Sequence, residues 1–434
     1  MRRQRRSSAT PAAILAAGLG FVAAGAAAQE DYRNDEDFSS EKLYATGDIG
    51  LGARAMGLAG AYIAVADDAT ALLYNPAGLA QMRRIEVAFG LRHQHDRSTH
   101  GMFGVEAEAT TRRTGLDHLA FAYPFPTYRG SLVTGIGLFR VRSNDLDVER
   151  HDRVVDGSQV LADNLFLRQQ DGGVWRLVGG FGVDVAEPLS FGASLSYWRG
   201  ALEDDQFVSI QQQTSSGTLD YTDRLTTSAT LDGISLDVGL LGYVADAGRL
   251  AFVIHSPAWM RVSGDGEKVR SWRLASMDTV TSLFIDDHPR LPWAASAGGS
   301  FALRPLLLSG ELRYTAWEEL DVDELARLPG QPSDYKSKLG VRAGVELLVP
   351  GTPMRLRGGY AFDPLVYDLF LGNPARVVRD RHVLAAGAGL LVAGSFALDA
   401  AFTWDRFERA DAGFSRVVEK RAEKRAFLSG AYRF

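Results

Sequence analysis

From Ile85 onward the chain alternates. Ile85, Val87, Phe89 and Leu91 are separated by Glu86, Ala88, Gly90 and Arg92, the two-residue period of a strand whose faces meet different surroundings. The pattern recurs in Leu119, Phe121, Tyr123 and Phe125, in Leu189, Phe191, Ala193, Leu195 and Tyr197, and in Ile234, Leu236, Val238 and Leu240. Positions between are Gly, Ser and Thr with occasional charges, as in Ser190, Gly192, Ser194 and Ser196 or Glu311, Arg313 and Thr315. Fourteen such segments start near residues 84, 116, 131, 174, 190, 229, 249, 292, 306, 338, 354, 381, 395 and 423. Runs of about 10 to 13 residues exceed the ~5 to 6 usual in a soluble sandwich and suit a tilted membrane strand. The expectation is an all-β chain, a 14-stranded antiparallel transmembrane β-barrel.

The connections alternate as well. Short turns at 124–130, 186–189, 246–249, 303–306, 349–353 and 392–395 face long polar stretches at 143–172, 202–228, 264–290, 318–337, 363–380 and 406–422. In a bacterial barrel the first set is periplasmic and the second forms extracellular loops. Tyr123, Tyr128, Trp198, Trp259 and Trp317, near strand ends, suit the aromatic girdles of a bilayer. Phe434 closes the alternating run Ala426, Leu428, Gly430 and Tyr432, an ending that resembles the assembly signal of outer-membrane barrels.

Residues 1–28 read as a secretory signal peptide: Arg2, Arg3, Arg5 and Arg6, then an apolar run from Pro11 to Ala24, then Ala26, Ala27 and Ala28. Its removal takes the formal charge from -6 to -10. The acidic balance and scattered arginines give no nucleic-acid footprint. The chain has no Cys, which excludes disulfide scaffolds, Cys-ligated zinc and thiol catalysis. It contains neither a G-x-S-x-G elbow nor an H-E-x-x-H pair, so no enzyme, cofactor or metal site is expected. His93, His95 and His100 could meet at a rim, but with no carboxylate legible to orient them the favoured reading is a polar loop edge.

Between signal and barrel, residues 29–83 do not alternate. They run through the small, Gly-rich GDIGLGARAMGLAGAYIAVADDATALLYNPAGLAQM from Gly47 to Met82. Asp and Asn cap turns, Pro76 blocks helix propagation, and Ala and Gly allow close packing in a narrow space. Asp67 and Asp68, followed by Asn75, Pro76, Ala77 and Gly78, resemble the acidic pair and NPAG of the FadL-type outer-membrane transporters of long-chain fatty acids and other hydrophobic compounds. ELRYTAW from Glu311, LRGGYAFDP from Leu356 and DRHVLAAGAGL from Asp380 are similar to later strands of that family.

The resemblance implies a hatch at 29–83 plugging a barrel at 84–434. It implies passive passage of fatty acids or aromatic hydrocarbons through a monomer in outer-membrane lipid, with a gate at Asp67, Asp68, Asn75, Pro76, Ala77 and Gly78. It also implies a sideways exit beside an inward kink in the third strand, where this chain has Gly130, Gly135 and Gly137. Leu161, Leu165, Phe166 and Leu167, apolar among polar neighbours, offer a first ligand groove. Glu311, Arg313, Arg355 and Arg357 are expected to face the lumen, where charges pair across strands or an Arg meets a ligand carboxylate. The alternative is a non-transporting FadL-like barrel serving as a secretion or surface-attachment partner.

Overall fold

The structure, a computed structural model, describes residues 50–434 apart from 103–104, 157–158, 215–216, 245–246, 273–276, 321–335, 367–368, 371–372 and 412–417. The expected signal peptide and residues 29–49 of the expected hatch lie outside the described residues.

Fourteen antiparallel strands close into a ring. They are β1 Glu86–Met102, β2 Val105–Phe125, β3 Leu132–Ser143 continued by Leu146–Asp156, β4 Gln159–Ala186, β5 Leu189–Thr214 and β6 Gly217–Val244. Then come β7 Gly248–His255 continued by Ala258–Trp272, and β8 Met277–Asp287 continued by Arg290–Leu291 and Ala294–Leu303. The ring is completed by β9 Leu306–Thr315, β10 Lys338–Leu348, β11 Met354–Asp363, β12 Asn373–Val392, β13 Phe396–Asp411 and β14 Val418–Arg433. β14 returns to β1 from Glu86 opposite Arg433 to Gly101 opposite Val418, so among the described strands no edge is left open near the short turns.

The wall is dressed inside out. Leu195 and Leu250 are each 60% exposed on the outer face, whereas Asp405 (1%), Ser196 (0%) and Glu311 (4%) are buried toward the inside. A soluble sandwich would bury the first group and expose the second; a lipid-facing barrel with a polar interior does the opposite.

The expected starts agree with the observed strands near the short turns, but five expected loops do not. Most of 143–172, 202–228, 264–290, 363–380 and 406–422 is strand. β4 and β6 each have 28 residues, ~90 Å of extended chain where ~9 to 11 residues cross a bilayer. Outside lipid the outer face meets water and turns polar, so the contrast between the two faces fades and these extensions read like loops. Two expected girdle residues also turn inward: Trp198 donates from Nε1 to Ser235 Oγ at 2.9 Å, and Trp317 is only 6% exposed in an interior apolar cluster.

Residues 50–82 are packed within the ring, and helices α1 Ala53–Gly57 and α2 Ala71–Tyr74 lead to a 3-10 turn, Pro76–Gln81. Asn75 caps that turn by accepting from Ala77 N at 3.1 Å, and Pro76, which has no N–H to satisfy, takes its first position. Nearly every residue of the segment is buried. Small side chains are required because backbone meets backbone: a Cβ at Gly182 would lie 2.7 Å from Pro76 O and Ala80 N.

Candidate functional site

Three glycines on adjacent strands form a row, Gly182 of β4 opposite Gly192 of β5, and Gly192 opposite Gly239 of β6. Asn75, Pro76 and Ala77 sit on this row; a Cβ at Gly192 would overlap Pro76 and Ala77, and one at Gly239 would overlap Asn75 Oδ1. Asn75 Nδ2 donates to Ile63 O at 2.9 Å and to Leu240 O at 3.3 Å. The side chain thus ties the segment to itself and to the wall. Across the ring a second pair, Gly344 of β10 opposite Gly359 of β11, faces Leu58 and Ala59.

Charged anchors complete the attachment. Glu311 on β9 accepts from Arg342 Nη1 at 2.7 Å and from Tyr62 N at 3.3 Å. Asp117, the extra residue where the β1 and β2 register shifts, accepts from Gly52 N at 2.8 Å. Arg54 is ion-paired with Asp67, and also with Asp68 at 3.3 Å. Burial pushes the Asp67 carboxyl up, but the Arg54 guanidinium beside it outweighs this and holds it below the usual carboxylate range. Asp68 Oδ1 accepts from Thr70 N at 3.0 Å and so fixes the approach to α2.

Further along the same strands lies a polar belt. Arg176 Nη2 on β4 donates to Asp237 Oδ2 on β6 at 2.7 Å, and His255 Nδ1 on β7 lies 2.7 Å from Asp237 Oδ1. Ser194 Oγ, His255 Nε2 and Ser296 Oγ are buried with no hydrogen-bond partner among the described residues. Arg313, on the same face two residues before the β9 position level with His255, is half-buried. No described carboxylate lies within ion-pair distance of Arg313. Beyond the belt the interior turns apolar, with Val174, Leu202, Leu231, Met260 and Val262 closed over by Trp317 and Leu320. Glycine seat, polar belt and apolar layer therefore follow one another along β4 to β9.

The expected site residues divide accordingly. Asp67, Asp68, Asn75, Pro76, Ala77 and Gly78 are brought together within the ring, with Gly78 pressed against Ala66 O. Arg313 is half-buried and shares the parity of the buried Glu311 and Thr315. Arg357 is already bound, to Glu346 at 2.7 Å and Asp399 at 2.5 Å, and Arg355 meets Glu346 at 3.1 Å; both lie near the short turns, far along their strand from the belt.

Gly135 and Gly137 do not kink β3. Gly135 pairs with Ala122 and Gly180, and Gly137 with Ala120 and Val178, in an unbroken ladder. Their missing side chains instead make room for Leu72 and for the ring of Phe139, which a Cβ would approach to 3.2 Å and 2.6 Å. Gly130, at φ 68, belongs to the turn before β3. The irregularity falls at Arg140 to Arg142, just past His118 opposite Phe139, where the β2 ladder to β3 stops.

Leu161, Leu165, Phe166 and Leu167 lie in the extension of β4 rather than in a loop. Alternation sends Phe166 to the face opposite Leu165 and Leu167, and Leu161 stands at a register shift, so the four do not share one groove. The residues missed from sequence are those of the apolar layer. Leu231 shares the inward parity of Asp237, a phase that an apolar residue on a polar-inside strand could have revealed. His93 lies 2.7 Å from Thr114 Oγ1 and His95 3.0 Å from Arg112 Nε, and the described residues contain no cluster of three metal-ligating side chains.

The BamG family profile matches residues 19–249. No curated protein sequence matches the chain. Among solved structures, the P. putida toluene transporter TodX is similar at TM-score 0.66 and 16% identity, covering 89% of this chain and 99% of TodX. A Pseudomonas aeruginosa FadL homologue is similar at 0.64 and 14%, covering 90% and 100%. The Ralstonia pickettii toluene transporter TbuX follows at 0.57 and 16%, covering 90% and 99%. The barrel has the architecture of these FadL-type channels, and the profile that spans more than half of its length shows that the chain belongs to the BamG family.

Proposed function

We propose that the protein is a passive outer-membrane conduit for hydrophobic compounds, in which residues 29–83 act as the hatch and its displacement from the glycine row releases cargo. The observation that carries this reading is the layering of the lumen: an apolar layer, then a polar belt with the free guanidinium of Arg313, then the seated segment. An apolar chain finds a dry wall while a polar head finds donors. TodX and TbuX are toluene transporters by name, but toluene has no group for Arg313 to meet. A carboxylate does, so a long-chain fatty acid is the favoured cargo. Entry requires Trp317 and Leu320 to move from the apolar layer; exit beside the end of the β2 to β3 ladder would deliver cargo to lipid without a kink at Gly135. The short-turn end faces the periplasm in this reading, and one chain suffices.

The test is uptake of a labelled long-chain fatty acid and of toluene by cells with the intact protein, without it, and with Arg313→Gln. Fatty-acid uptake should depend on the protein and fall about tenfold in Arg313→Gln, one charge-assisted contact. Unchanged uptake of both compounds with the barrel correctly inserted overturns the transport reading and leaves a partner-binding scaffold as the better account.

A further inference from the structure

The end of the ring bounded by the short turns contains a cavity of about 520 Å³ on the far side of residues 50–82 from the polar belt. Seven arginines and four carboxylates face it. The carboxylates are engaged: Asp67 and Asp68 by Arg54, Asp399 by Arg357, and Glu86 by Arg433 at 2.6 Å. Arg83 and Arg84 reach only backbone carbonyls, those of Ala80 at 3.4 Å and Gly394 at 3.1 Å. Arg249 stands 5.5 Å over the ring of Tyr243 with no described carboxylate in ion-pair range. Two further donors from residues that face the cavity, Arg54 Nε and Gln81 Nε2, are buried without a partner. Positive charge and unused N–H groups outnumber acceptors in one cavity open to one side, and planar guanidinium donors match an oxyanion better than a spherical ion.

We infer that this cavity is a binding site for a small water-soluble oxyanion, a carboxylate or phosphate, held chiefly by Arg249 with Arg83 and Arg84 at its mouth. The strand wall separates it from lipid, so the anion arrives from the aqueous side. The site is independent of the transport reading, because Arg313 does not line this cavity.

The absence of cysteine allows a single reporter, Ala397→Cys, which faces the cavity, labelled with an environment-sensitive fluorophore in the full chain in non-ionic detergent. Inorganic phosphate and succinate are titrated separately, with sodium chloride holding ionic strength constant. The expected result is a saturable change with at least one of them, the responding anion identifying the class. The apparent Kd should rise about tenfold in Arg249→Gln and stay unchanged in Arg129→Gln, an exposed turn residue outside the cavity. A response that fails to saturate with both anions overturns the inference, as does equal affinity in Arg249→Gln. If Arg249→Gln fails to give a heat-modifiable barrel, Arg83→Gln with Arg84→Gln is read in the same way.

Discussion

Asn75 and Gly239 share one point of the lumen wall: the Asn75 carboxamide lies where a side chain at position 239 would begin, and its Nδ2 donates to the next residue, Leu240. A methyl group there forces either the wall or the Asn75-Pro76 turn to move, and the wall is held by two ladders of backbone hydrogen bonds. Gly239→Val is therefore expected to lift the turn, at an overpacking cost of about 1–3 kcal/mol. In planar bilayers it should conduct more ions than the parent protein. Gly242→Val is the control, since the nearest atom to a Cβ there is 4.0 Å away. Parent-like conductance in Gly239→Val would mean that the turn is not what closes the lumen.

Glu311 joins the wall to the interior segment through Arg342 and the Tyr62 N–H. Glu311→Met alone leaves a buried guanidinium without its carboxylate, a loss of about 3–5 kcal/mol, whereas removing both charges together costs far less. Protease sensitivity of residues 50–82 in the folded barrel should rise sharply in Glu311→Met and return toward the parent value in Glu311→Met with Arg342→Met. Equal sensitivity in the single and double variants would locate the attachment elsewhere.

The clamp between Arg54 and Asp67 sets a pH expectation. Because the Asp67 carboxyl is held below its ordinary value in the folded chain, its contribution is complete above the unfolded pKa of about 3.9 and is lost only as pH falls through the lower folded value. Closure measured as conductance should be flat from pH 8 to pH 5 and loosen below about pH 4. Asp67→Asn should be leaky across the whole range; loosening near pH 6 in the parent would point to a different titrating group.

Leu195, 60% exposed, and Val280, 64% exposed, separate lipid contact from water contact. Leu195 stands six residues into β5 from its short turn, whereas Val280 belongs to the far part of β8. Leu195→Arg should destabilise insertion by about 2–4 kcal/mol, the cost of a cation at the midplane. Val280→Arg should change it little. Urea titration of barrels folded into vesicles reads both, and equal effects would move the membrane boundary outward along β8.

Much of the fold was legible because lipid enforces a strict alternation: Phe89, Leu195 and Phe301 mark outer faces that no soluble protein would present. Strand positions beyond the bilayer were not legible, since Gln211, Thr222 and Asp223 put polar side chains on both faces of the sheet and carry no phase. Their Thr-rich composition, as in Thr226 and Thr227, was the available hint. Within the site, Asn75 and Pro76 announced a turn, yet only the fold reveals that their seat is made by glycines 107, 117 and 164 residues away in sequence. The role of Gly135 misled for the same reason: a glycine that makes room for Leu72 and one that bends a strand look alike until the neighbour is known.

The pairing of β1 with β14 has a temporal meaning. Glu86 meets Arg433, and Phe434 N donates to Ile85 O at 3.0 Å, so the first strand to leave the ribosome waits for the last. Until then two rows of unpaired N–H and C=O groups stand open, which invites pairing with other chains. Joining ends so far apart in sequence carries the largest loop-closure entropy of any contact in the ring. Truncation within β14 should consequently produce not a shortened pore but an unsealed sheet, prone to aggregate or to be degraded before it reaches the membrane.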